Sequence, residues 1–138
     1  MQSTLADSGP LIALFDRDDR YHQHVRAFLQ SRPLRLVTTW PVLTETCALL
    51  PVPAGLDFIE FACRGGVAVE APDAADLDSV LALSRKYADR PMDFADASLV
   101  ALALRKGFDT IVSLDSDFDI YRLAGRRRFK NLLPAPRR

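Results

Sequence analysis

Asp7, Glu45, Asp96 and Asp115 are spread over nearly the whole of a 138-residue chain, and each lies beside a segment patterned as a strand end or a helix start. Carboxylates gathered from such positions repel one another. Two of them about 4 Å apart do so by about 4 kcal/mol at an effective dielectric near 20, and four would threaten a fold of ordinary stability. Either some take up protons, as close carboxylates do, or the group binds a hard cation that prefers oxygen ligands. At neutral pH the cation is the better answer. Mg2+ or Mn2+, present as one or two ions held by carboxylates and waters, activates a water and stabilises the charge of an in-line phosphoryl displacement. That chemistry is a nuclease's. The chain carries no Gly-rich phosphate loop, no nucleotide-binding fingerprint and no Cys/His set with zinc spacing.

The four acids can meet only if the elements around them share a rim. Apolar runs at Leu34 to Thr38, Val67 to Val69 and Thr110 to Leu114, bounded by polar or Gly/Pro residues, predict short buried strands. A weaker strand covers Thr4 to Asp7, and a fifth lies near Lys130 to Leu133, where Pro134 ends it. Helical patterns fall between them at Tyr21 to Gln30, Pro41 to Leu50, Leu56 to Cys63, Ala74 to Tyr87 and Phe94 to Lys106. Such alternation implies a parallel sheet covered on both faces, and in an open parallel sheet ligands gather at the carboxyl ends of strands where the strand order reverses. Asp7 and Asp115 follow strands and point to one rim. Glu45 stands one turn into the helix after the second strand. Asp96 lies in the first turn of a helix with well-marked ends, Asp93 as N-cap and Gly107 just past Lys106.

Four segments carry these acids: Leu5 to Leu14 around Asp7-Ser8-Gly9-Pro10, Thr39 to Glu45, Met92 to Ala101 with Asp93 and Asp96, and Ser113-Leu114-Asp115-Ser116-Asp117-Phe118. In this order and at these intervals they resemble the four motifs of PIN-domain ribonucleases, especially the toxins of VapBC-type toxin–antitoxin pairs. The resemblance implies a three-layer α/β/α sandwich with a central, mostly parallel sheet, a Mg2+ or Mn2+ site, and cleavage of single-stranded RNA. Carried over by position, the catalytic acids and metal ligands are Asp7, Glu45, Asp96 and Asp115, with Asp117 acting through water. Ser113 stands where the family more often has Thr, and Ser8 is placed to steady a ligand water. The toxin likeness further implies a cognate antitoxin and a homodimer. A housekeeping PIN nuclease of RNA maturation is the alternative. A receiver-like signalling domain is rejected, because Asp7 has no acidic neighbour and Val67 to Val69 runs into Glu70-Ala71-Pro72 with no phosphoacceptor Asp. An inactive RNA-binding relic is disfavoured because all four acids remain.

The other conspicuous residues read more plainly. Asp93 is taken as a helix cap. Asp16 to Arg20 reads as a solvated turn, and His22 and His24, two apart on one helix, as surface residues that share no metal. Cys47 and Cys63 read as reduced core residues, with no disulfide. Trp40 and Pro41 look like a helix start packed on the core, with Trp40 at the border of an RNA groove as the alternative. The helix holding Phe58, Ile59 and Phe61 is too apolar to be wholly exposed, so it packs in the core or meets a partner.

Eighteen basic and eighteen acidic residues cancel, so overall charge favours neither a nucleic-acid glue nor an acidic decoy. From Arg122 onward there are seven Lys and Arg and no acid, a basic tail that either grips a phosphate backbone or is simply a solvated terminus. With 49% hydrophobic residues, no signal segment and no run long enough to span a bilayer, the expectation is one cytoplasmic domain over residues 1–138.

Overall fold

Apolar residues flanked by polar ones pair into strands when both faces of the sheet are covered, and here the central strands are buried almost throughout. The computed structural model describes residues 1–90 and 92–135. Its strands are β1 (Gln2–Ala6), β2 (Leu34–Thr39), β3 (Ala68–Glu70), β4 (Thr110–Val112) and β5 (Lys130–Asn131). They form one sheet in the order β3-β2-β1-β4-β5, every pairing parallel. The chain leaves β1 on one side for β2 and β3 and returns on the other for β4 and β5. The order therefore reverses between β1 and β4, and the crevice beyond their carboxyl ends is where such sheets bind ligands.

Six helices complete the sandwich: α1 (Ser8–Phe15), α2 (His22–Ser31), α3 (Trp40–Leu49), α4 (Val52–Cys63), α5 (Ala75–Lys86) and α6 (Phe94–Lys106). The first four pack on one another, α5 packs on α6, and α3 also reaches α6. Between the layers lies a core that includes Leu5, Val37, Val42, Phe58, Leu99 and Ile111. Burial at about 25 cal/mol per Å² of apolar surface drives the assembly. The polar groups trapped with it are paired: Thr4 and Thr110 share a hydroxyl bond of 3.1 Å across β1 and β4, and the Thr38 hydroxyl donates to the Ala6 carbonyl at 2.8 Å.

The three-layer α/β/α reading holds, and α6 has the bounds its caps predicted, with Gly107 in the left-handed region at φ 79°. Other elements differ. Helix α1 is not among the expected helices; its Pro10 fits the first turn, where the missing N–H has no partner to lose. Helix α4 begins at Val52, four residues before the expected start, again with Pro in its first turn.

Several side chains are placed otherwise than expected. Trp40 is 56% exposed: at the first position of α3 it lies over a groove of about 480 Å³ shared with Leu43, Ile59 and Val69, outside the core. Cys47 is half-buried against the edge of the core, whereas Cys63 is exposed on the same groove and lies outside it; both are free thiols. His22 and His24 are half-buried and tied to backbone, Nδ1 of His22 to the Ala13 carbonyl and Nε2 of His24 to that of Pro134, both at 2.7 Å. The basic tail is mostly not a tail. Phe129, Leu132 and Leu133 are buried, β5 pairs with β4, and the Leu123 N–H donates to the Arg127 carbonyl at 2.8 Å in a closed turn. Arg137 and Arg138 lie outside the described residues.

Candidate active site

Each of the strand-end acids is held by the start of the element that follows it. Asp7 caps α1, its Oδ1 accepting the Ser8 N–H at 2.8 Å, while its own N–H donates to the Val112 carbonyl at 3.1 Å and so prolongs the contact between β1 and β4. Asp115 caps a short 3-10 turn, Ser116–Asp119, accepting the Asp117 N–H at 2.9 Å. Asp93 caps α6 through the Asp96 N–H at 2.7 Å, as expected. Helix starts carry partial positive charge, which offsets some of the repulsion of acids collected there.

Ser113 links the two central strands. Its hydroxyl donates to Asp7 Oδ2 at 2.9 Å and accepts the Asp115 N–H at 2.9 Å. Asn131 fixes Ser113 in turn: its amide donates to the Ser113 carbonyl at 2.9 Å and its oxygen accepts the Ser113 N–H at 3.2 Å. The short fifth strand thus acts on the site through one side chain. Sequence reasoning passed over Asn131, and a lone Asn in a two-residue strand gave no signal to find it.

Carboxylate oxygens of Asp96, Asp115 and Asp117 lie within 4.8 Å of one another. Asp7 and Glu45 stand around them, close enough that Asp7 feels Asp115 and Glu45, and Asp96 feels Asp7 and Asp93. Burial is the main cause of the high proton affinity here. It lifts Asp7 to about 6, against the pull of its Ser8 and Ser113 hydrogen bonds, and lifts Asp96 to about 8 with added repulsion from Asp7 and Asp93. Glu45 is raised by burial and by Asp93, while the Ser8 hydroxyl beside it pulls the other way. Asp117 is raised by burial and by Asp115. Asp93 therefore caps α6 and also bears on Glu45, Asp96 and Asp117. Arg90 is the cation that acts on Asp117.

All the donors are oxygens, as Mg2+ and Mn2+ prefer. Around octahedral Mg2+ at 2.0–2.1 Å, neighbouring oxygens stand about 3 Å apart and opposite ones about 4.2 Å, so three oxygens within 4.8 Å of one another can close on one ion. The donor set fits. Asp117 is one of the three closest oxygens, which makes direct ligation as accessible to it as contact through water.

A comparison with curated protein sequences gave no significant match. Among solved structures the chain is similar to VapC20 of Mycobacterium tuberculosis, described as a toxin that cleaves the sarcin-ricin loop, with a TM-score of 0.82 and 24% identity over 95% of this chain and 99% of that one. It is also similar to VapBC2 of Rickettsia felis, solved with a DNA fragment from its promoter (TM-score 0.64, 9% identity, 94% and 98% coverage), and to FitAcB of Neisseria gonorrhoeae (TM-score 0.52, 18% identity, 82% and 88%). At these identities the likeness concerns the fold. The family model of the PIN domain matches residues 4–124, a span that runs from β1 through every acid of the cluster, and the chain belongs to the PIN domain family.

Proposed function

We propose that this chain is a metal-dependent endoribonuclease and the toxin of a VapBC-type pair. The observation that carries the reading is the convergence of Asp96, Asp115 and Asp117, with Asp7 and Glu45 beside them, at the reversal point of the sheet. Asp7, Glu45, Asp96 and Asp115 are the acids assigned to catalysis, and together with Asp117 they would hold one or two Mg2+ or Mn2+ ions. Bound there, such an ion supplies an activated water and charge stabilisation for in-line displacement at phosphorus. Ser113 keeps Asp7 turned toward the cluster, and Ser8 steadies Glu45. The helix starts at Asp7, Asp93 and Asp115 keep the acids preorganised.

The toxin part rests on family membership and on the identities of the structural neighbours. It is supported by apolar surface left uncovered on the helices: Leu49, Val52, Leu56 and Leu77 are each more than 60% exposed. Surface of this kind marks a protein partner, here a cognate antitoxin and a second copy of the chain. The chain acts as one domain in the cytoplasm, where RNA is at hand; among the described residues no helix is long and apolar enough to cross a membrane.

The test is incubation of purified protein with cellular RNA in Mg2+, Mn2+ or EDTA. Discrete fragments with either ion and none in EDTA are expected; cleavage that persists in EDTA, or none with any divalent ion, would refute the reading. Expression in a cell should arrest growth unless the partner gene is expressed with it, and light scattering should find a dimer.

A further inference from the structure

Tyr121 is completely buried, and packing accounts for its ring. Tyr87 lies edge-on against it with centroids 5.1 Å apart, Phe118 does the same at 5.2 Å, and Phe118 rests in turn on Phe129 at 5.6 Å. The hydroxyl of Tyr87 accepts the Arg122 N–H at 3.0 Å, which ties down the residue next to Tyr121 as well. A phenylalanine would fill this space equally well. A buried phenol demands a hydrogen-bond partner, and the one Tyr121 has among the described residues is Asp96 Oδ2, to which it donates at 3.2 Å.

The backbone around it gives that bond its meaning. The Tyr121 N–H donates to the Asp117 carbonyl at 3.2 Å, so the segment Asp115–Tyr121 carries two of the three converging carboxylates and also reaches across to the third. Asp96 sits on a different element, α6, and is otherwise surrounded by negative charge. Repulsion would swing its carboxylate away from Asp115 and Asp117. A donor fixed in a rigid aromatic cluster opposes that swing.

We propose that Tyr121 is a positioning residue for the metal site: its hydroxyl holds the Asp96 carboxylate against Asp115 and Asp117, so that the three oxygen donors are assembled before an ion arrives. The inference rests on the reading of the acidic cluster as a cation site. Groups that orient ligands without touching the ion typically govern affinity by about 10–100-fold, and preorganisation of this kind needs a locked rotamer, which the aromatic packing provides.

The experiment is a Mn2+ titration, followed by the electron paramagnetic resonance signal of free Mn2+, on metal-stripped wild type, Tyr121→Phe and Phe118→Leu, with thermal melts of each in EDTA. Tyr121→Phe removes the hydroxyl and keeps the ring; Phe118→Leu loosens the same cluster and keeps the hydroxyl. Tyr121→Phe should weaken Mn2+ binding about 10-fold or more, out of proportion to its effect on the EDTA melt, whereas Phe118→Leu should lower the melt more than it alters the affinity. Wild-type affinity in Tyr121→Phe, or equal loss of affinity in both variants, would overturn the positioning role and leave the metal site standing. Failure of the wild type itself to bind Mn2+ would overturn the site and this inference together.

Discussion

Asp96 sits where its charge is least welcome, buried at the first turn of α6 and facing Asp7 and Asp93, and its proton is held to about pH 8 as a result. An unfolded aspartate releases its proton near 3.9. Between those limits the folded chain binds more protons than the unfolded one, so stability must fall as pH rises. Asp7, held to about 6, adds to the same trend over the lower part of the range. Asp96→Asn removes the largest contribution while preserving shape. In metal-free buffer the variant should therefore melt with wild type below about pH 4, and progressively above it as pH is raised to about 8. Saturating Mn2+ should narrow or invert the gap, because ion binding stabilises only the chain that can hold the ion. Melts over pH 4 to 8 check both; a gap that does not change with pH would mean that Asp96 is not strained in the free protein.

Among the elements, what could be read from the sequence was what local chemistry alone decides. Helix α6 is bracketed by Asp93 and Gly107, and its bounds follow from those caps. The strands before Asp7 and Asp115 follow from apolar runs that end in an acid. What could not be read depends on contacts between distant segments. Trp40 looks like a core residue because tryptophan is costly to expose, yet at the first position of α3 it stays at the surface, bordering the groove beside α4 and another beside α5 and α6. Tyr121 and Asn131 act on acids 25 and more than a hundred residues away, Asn131 through Ser113, and no spacing rule spans such separations. The last strand pair gives this point a test. Asn131→Ala strips partners from the Ser113 N–H and carbonyl and from the Leu133 N–H, which the Asn131 oxygen also accepts at 3.2 Å. Unpaired buried polar groups cost about 1–3 kcal/mol each, so the melt should drop by several degrees and cleavage should weaken as Ser113 releases Asp7. Unchanged melting and activity would show that β5 does not support the site.

At the scale of the whole molecule, zero net charge conceals a division. The pit at the sheet's reversal point is lined by carboxylates, which repel RNA unless cations answer them. Arg126, Arg127 and Arg128 stand exposed on a closed turn a few residues beyond Tyr121, and among the described residues none of the three pairs with a carboxylate. Arg126 takes a positive φ of 62°, a conformation that disfavours side chains other than those of Gly, Asn and Asp. If these arginines contact the RNA backbone, replacing all three by Gln should lower the slope of log affinity against log salt by about 2, from about 0.7 per phosphate on single strands, with metal binding intact. An unchanged slope would place the RNA elsewhere.

The account stands on the acids of the pit, and neighbours three residues apart decide it most directly. Asp93→Asn keeps the cap on α6, since Asn caps about as well as Asp, and should retain most Mg2+-dependent cleavage of single-stranded RNA. Asp96→Asn removes a hard anionic ligand and should abolish that cleavage while the fold remains; wild-type cleavage rates in Asp96→Asn would contradict the assignment of the cluster as the metal-bearing active site.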